Sequence, residues 1–228
     1  MLGPRPTTPI VTIPILAILG FIAVISTAAI AAPPAAARIK PADALKTVME
    51  GNARFASDHL VHPNRDDLRR MHLAKGQNPF VAVLSCSDSR VPPEIVFDQG
   101  LGDVFVVRVA GNTVDQLGLQ TLAYGVEHLG TGLIVVLAHD SCGAVNAAVE
   151  SYPKADAGVM LTNIYPAIAA TRDAPGDRVS NAIDRNVVLM VTQLKASPVF
   201  ADRVKDGRLM IVGGRYNLAT GKVALFPD

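Results

Sequence analysis

The chain reads as an α/β fold: a single domain with a mainly parallel central β-sheet flanked by helices and an N-terminal helical arm, preceded by an apolar signal or anchor segment. Three observations predict it. Runs at residues 80–84, 104–109 and 133–138 are almost continuously apolar, as strands buried on both faces are. Helix-length segments at 113–129 and 142–150 alternate with these runs, the pattern of βαβ units and parallel pairing. With 228 residues, 50% of them apolar and 18% charged, the chain has the size and composition of one domain around a packed core.

The elements follow in order. Arg5 is the sole charged side chain in the first 37 residues, and residues 10–32 are dominated by Ile, Leu, Val and Ala. That run is longer than the roughly 18 residues that mark a spanning helix and than the roughly 7–15 of a signal h-region. Residues 1–31 are read as a signal peptide or membrane anchor, with Ala29-Ile30-Ala31 or Ala35-Ala36-Ala37 as a small-x-small cleavage site; a plain N-terminal extension is the alternative. The expected location is therefore exported, periplasmic or secreted, or anchored to the membrane. Membrane contact is expected only through residues 10–32. Residues 32–40, with Pro33-Pro34, form a linker, and 41–228 form the folded domain.

Pro41-Ala42-Asp43 opens a helix, because Pro suits the first helical position and an early acid complements the helix N-terminus. Ala44, Leu45, Val48, Met49, Asn52 and Phe55 fall near one face of it. Residues 58–77 are polar and read as a short helix plus loops; His59 and His62 have ligand spacing, with a solvated face as the plainer reading. Beyond the third strand and its helix, 156–194 is mostly helical and 208–216 returns as a last strand. Thr220-Gly221-Lys222 then turns into 223–226, a small terminal hairpin. The 21 Lys and Arg against 20 Asp and Glu leave a net charge of +1, no surplus for phosphates, so no nucleic-acid partner is expected.

Two cysteines carry the chemistry. Cys86 sits just past the first strand in Ser85-Cys86-Ser87-Asp88-Ser89-Arg90, and Cys142 just past the third in His139-Asp140-Ser141-Cys142-Gly143. Functional groups of an open parallel sheet gather beyond the carboxyl ends of its strands. His139 and Cys142, three apart, can converge on one ion, and Cys86 can join from the neighbouring strand. Two thiolates and an imidazole suit zinc and leave a fourth tetrahedral position open, a catalytic rather than a closed structural pattern. Asp88 can fill that position or accept a proton from metal-bound water, and the guanidinium fork of Arg90 can hold its carboxylate away. Competing readings are a Cys86–Cys142 disulfide, a buried structural Cys beside a satisfied His, and a closed structural site with Asp88 as fourth ligand.

The chain resembles the β-class carbonic anhydrases from about Pro41 onward. The resemblance rests on Cys86-Ser87-Asp88-Ser89-Arg90 and His139-x-x-Cys142-Gly143, supported by Phe97-Asp98-Gln99-Gly100-Leu101-Gly102-Asp103 and Val106-Val107-Arg108. It implies one zinc ion per chain on Cys86, His139 and Cys142, with Asp88 and Arg90 as a gating dyad. It further implies that Gln77 orients substrate, and that Phe105 and Tyr124 line a carbon dioxide pocket across a dimer interface. Gln77 also reads as a plain loop residue, and Phe105 and Tyr124 as core. The chain departs from the family at Ala138 and Asp140, where Gly and Ser or Thr are usual, and it lacks the Trp of the inhibitory bicarbonate site.

The implied activity is reversible hydration of carbon dioxide to bicarbonate and a proton by zinc-bound hydroxide, favoured on the alkaline side because two thiolates make the bound water less acidic. His59, His62, His72 and His128 are candidate proton acceptors. The alternatives are a zinc hydrolase of carbonyl sulfide or carbon disulfide, and a non-catalytic zinc module. The family implies a homodimer or homotetramer whose N-terminal helix reaches across to its partner.

Overall fold

A computed structural model describes residues 39–227. The apolar segment 10–32 and both expected cleavage sites lie outside the described residues. The described chain runs α1 (Pro41–Ala56), α2 (Asp67–Leu73), β1 (Val81–Ser85), α3 (Pro93–Val96), β2 (Val104–Arg108), a 3-10 turn (Ala110–Asn112), α4 (Gln116–Glu127) and β3 (Leu133–His139). It continues with α5 (Gly143–Ser151), α6 (Val159–Thr162), α7 (Tyr165–Ala170), α8 (Arg178–Ala196), α9 (Pro198–Lys205), β4 (Met210–Tyr216) and β5 (Val223–Leu225).

Five strands form one sheet in the order β2-β1-β3-β4-β5. The first four are parallel, and β5 closes one edge antiparallel to β4. Alternate residues of β1 and β3 feed two cores. Ala82, Leu84, Ile134 and Val136 pack toward Leu122, Val145, Ile168, Ile183 and Phe200, while Val81, Val83, Leu133 and Val135 pack toward Ala44, Val48, Val96 and Phe97. Burial on both faces explains the unbroken apolar runs of β1 and β3, whereas β2, expected to be buried likewise, is an edge strand and is mostly half-buried. α1 lies on its own chain's sheet through Ala44 and Val48, with Gly51 and Asn52 also buried.

Local chemistry sets the element ends. Asp66, Asp115 and Asp177 cap α2, α4 and α8 by accepting from the backbone N–H of Arg69, Gly118 and Ser180. The stretch expected to be mostly helical is three helices, α6 to α8, with Pro175-Gly176 between α7 and α8 and Asp177 restarting the chain as a helix. α3 and α9, each opening on a Pro, lie where no helix was expected.

The topology positions the site. From β1 the chain moves to β2 on one side, whereas from β3 it moves to β4 on the other. The connections therefore diverge between β1 and β3, leaving a crevice at their carboxyl ends, where an open α/β sheet binds its ligands. Cys86 follows β1 at that point, His139 ends β3 and Cys142 lies just past it.

Candidate metal centre

Cys86, His139 and Cys142 converge there: their ligand atoms all lie within 4.8 Å of one another and all three residues are buried. Among the described residues no disulfide forms; both cysteines are free, with the sulfurs 3.9 Å apart. Two thiolates at about 2.3 Å from one tetrahedral zinc stand about 3.8 Å apart, so the sulfur spacing fits that ion. The imidazole adds a second sign. Its Nδ1 lies 2.8 Å from the Asp140 carbonyl oxygen, an acceptor, which puts the proton on Nδ1. Nε2 is thereby left bare, buried and without a hydrogen-bond partner. An orphaned imidazole nitrogen beside two buried sulfurs fits a zinc ion.

The loops explain the convergence. Cys142 is the N-cap residue of α5, so its sulfur sits at a helix N-terminus, near the backbone N–H groups of Ala144 and Val145. Ser141 before it takes a left-handed φ of 51°, turning the chain between two ligands. Cys86 accepts from the Gly111 backbone N–H at 3.3 Å. Donation from Cys142 lowers the Cys86 thiol, while that same contact and burial push the Cys142 thiol up. Burial pulls His139 down, but Cys86, the Asp140 carbonyl and Asp88 outweigh it and leave its pKa raised.

Asp88 stands at the rim, its Oδ2 3.7 Å from His139 Nε2. Arg90 grips it with Nε on Oδ1 at 2.9 Å and Nη2 on Oδ2 at 2.7 Å, while the Arg90 backbone N–H also donates to Oδ1. These bonds hold the Asp88 carboxyl well below the usual carboxylate range.

A family model described as carbonic anhydrase matches residues 81–223, which span β1 to β4 and all the residues of this cluster. The chain belongs to the carbonic anhydrase family. Carbonic anhydrase 2 of Mycobacterium tuberculosis (strain CDC 1551 / Oshkosh) is 40% identical over 191 residues, covering 81% of this chain and 92% of that protein. Among solved structures, a β-carbonic anhydrase from Coccomyxa in complex with acetazolamide is 28% identical, with a TM-score of 0.65, covering 81% of this chain and 86% of its own. A tetrameric β-carbonic anhydrase from Sordaria macrospora shares the fold at 24% identity and TM-score 0.64, covering 82% of this chain and 95% of its own. The chain is thus of the β class, an enzyme of the carbonate dehydratase type.

The other residues expected in the β-carbonic anhydrase site fall elsewhere in a single chain. Phe105 pairs in register with Ala82, four residues short of Cys86, which places it roughly 13 Å down the strand from the ligands at about 3.3 Å per residue. Tyr124 stacks near it, ring centroids 6.3 Å apart, and is half exposed. Gln77 is exposed in the loop between α2 and β1, without a hydrogen bond among the described residues. Of the expected histidine pair, His59 Nδ1 lies 3.2 Å from Ser57 Oγ, and His62 Nδ1 lies 3.9 Å from Asp98 Oδ1.

Sequence reasoning missed the residues that hold the ligand loops. Arg108 donates to the carbonyls of Cys86, at 3.0 Å, and Asp88, at 2.6 Å. Asn186 of α8, buried, donates to the Gly111 carbonyl at 2.8 Å, fixing the turn whose N–H meets Cys86. Gly111 is obligatory there: its φ is 74°, and a Cβ would come 2.7 Å from Ile164. Arg108 stood in a stretch resembling the family and was the one legible signal; the others act on backbone atoms and leave no spacing to read.

Proposed function

We propose that the chain is a zinc-dependent carbonic anhydrase that hydrates carbon dioxide reversibly to bicarbonate and a proton. The observation that carries this reading is the buried Cys86–His139–Cys142 triangle with its orphaned Nε2, opening on a carboxylate that Arg90 holds in place. Zinc held by those three residues supplies Lewis-acid chemistry, lowering the pKa of a water molecule from 15.7 to about 7.

The side chains do the rest. His139 offers Nε2 because Asp140 occupies its other nitrogen. Arg90 engages both oxygens of Asp88, so Asp88 joins the ligand set only by breaking a bidentate pair. With its carboxyl held so far down, Asp88 is a poor store for a proton near neutral pH. Its role is to accept a hydrogen bond and orient water at the rim, and the proton leaves to surface acceptors. Gln77, Phe105 and Tyr124 are assigned to the substrate slot of an assembled oligomer, where a partner brings apolar side chains to the cluster.

Stopped-flow carbon dioxide hydration on zinc-loaded protein, from about pH 6 to 9, tests the reading. Activity rising toward alkaline pH is expected, with one zinc per chain. Cys86→Ser is expected to lose zinc binding and hydration together; full activity in that variant overturns the proposal. Turnover of carbonyl sulfide or carbon disulfide without hydration would assign the same ligands to a different substrate.

A further inference from the structure

We propose that Arg215 is a positioning residue of the metal centre, acting through Asp140 to fix the peptide that orients the His139 imidazole. The inference rests on the zinc reading above. It concerns the carboxylate placed directly after a ligand.

The register brings the pair together. Ala138 stands opposite Arg215 and His139 opposite Tyr216, so Asp140 is the first residue past the end of β3. Its N–H donates to the Tyr216 carbonyl at 3.0 Å, and its own carbonyl accepts from His139 Nδ1 at 2.8 Å. Its side chain returns to β4, where Arg215 Nε donates to Oδ1 at 2.6 Å. Asp140 is thus held at its amide, its carbonyl and its carboxylate. The next residue, Ser141, is the left-handed turn, and Cys142 follows it. Whatever fixes Asp140 therefore bears on two ligands.

Arg215 is itself held. Its Nη1 donates to Ser180 Oγ at 2.7 Å and to Asp184 Oδ1 at 2.9 Å, both on α8. The guanidinium links β4, α8 and the ligand loop with a planar fork, a task that a lysine's point charge cannot reproduce. The pair lines a cleft of about 720 Å³ with Ser141, Asp177, Ser180 and Asn217, and is partly exposed to solvent. This setting matters: without its partner the Asp140 carboxylate would turn into that cleft to be hydrated, and the carbonyl that His139 leans on would lose one of its anchors.

A plainer role for Arg215 is to staple β4 to α8 through Asp184, and a double-mutant cycle separates the two. The wild type, Arg215→Met, Asp140→Asn, the double variant, Arg215→Lys and Asp184→Asn are loaded with zinc. Release to a chromogenic chelator is then timed, and the visible spectrum of each cobalt(II)-substituted form is recorded. Arg215→Met and Asp140→Asn are each expected to speed release by about tenfold, the lower end of the effect of removing a ligand's outer hydrogen-bond partner. The double variant is expected to match either alone, with Arg215→Lys intermediate, Asp184→Asn within about twofold of wild type, and the cobalt bands of both single variants shifted alike. Wild-type release and spectrum in Asp140→Asn, or effects that multiply in the double variant, overturn the proposal. Asp140→Asn keeps the side chain's shape and carries the test if Arg215→Met fails to fold. Failure of the wild type to take up zinc would instead overturn the zinc reading itself.

Discussion

Arg90 lies half exposed, and an exposed ion pair is worth little to stability, typically less than about 1 kcal/mol. Its geometry points to a different use. Two side-chain nitrogens and one backbone N–H converge on a single carboxylate, more donors than a surface pair needs. The effect is to hold Asp88 ionised and turned from Nε2, so removing the fork frees a carboxylate 3.7 Å from a ligand. Arg90→Ala is expected to lower kcat/KM for hydration by at least about tenfold with little change in melting temperature, and Arg90→Lys to recover only part. Unchanged stopped-flow rates in Arg90→Ala would show that the pair is incidental. At this scale the ligands and the dyad were legible, because metal binding and carboxylate pairing admit few residue types at few spacings. Arg108 was legible only as part of a stretch resembling the family, and Asn186 and Arg215 were not, because each acts on a peptide group or a loop whose position only the folded chain defines. In the sequence Asp140 stood out only against the resemblance; its pairing with Arg215 appears only in the folded chain.

Elements were readable in proportion to how strongly one physical pattern controlled them. β1 and β3 announced themselves through burial on both faces, β2 through its apolar run although it is a partly buried edge strand, and α1 through its Pro-x-Asp start. α3, with four residues, and α9, with eight, are too short for a period to emerge. How elements join was less readable still, and Asp98 shows why. Its fully buried carboxylate takes Arg54 Nε of α1 at 2.7 Å and the backbone N–H groups of Val61 and His62 at 3.0 Å, tying α1 and the loop after it to the turn after α3. Burial pushes this carboxyl up, but Arg54 and the two amides outweigh it and hold its pKa below the usual range. A group whose folded pKa is depressed adds stability above its unfolded pKa of about 3.9 and loses it as pH falls through the folded value. Asp98→Asn is accordingly expected to cost about 2 to 4 kcal/mol at neutral pH. In urea unfolding the gap from wild type should narrow steadily below about pH 4. A cost that stays the same down to the acid limb would mean that packing, not charge, makes the contribution.

At the scale of the molecule the two edges of the sheet differ. β5 is a three-residue antiparallel strand, whereas β2 presents five residues with no partner on its outer side among the described residues. An open edge of that kind invites pairing unless it is covered. Beside it α4 exposes Leu117 at 72% and Tyr124 at 49%, and Tyr124 rests on Phe105 of β2. The near-zero net charge offers no long-range repulsion between copies. Within one chain Phe105 lies far from Cys86 along the strand, so an apolar substrate slot built from Phe105 and Tyr124 requires a second chain to bring them to the ligands. A dimer or larger assembly is therefore expected in sedimentation at micromolar concentration. Leu117→Asp combined with Tyr124→Asp is expected to shift it to monomer while the zinc content holds at one per chain. Hydration should then fall by at least about tenfold, because the ligands survive and the slot does not. A zinc-loaded monomer with wild-type hydration would assign Phe105 and Tyr124 to packing alone and make each chain a complete site. Loss of zinc on dissociation would instead show that the partner supports the ligand loops.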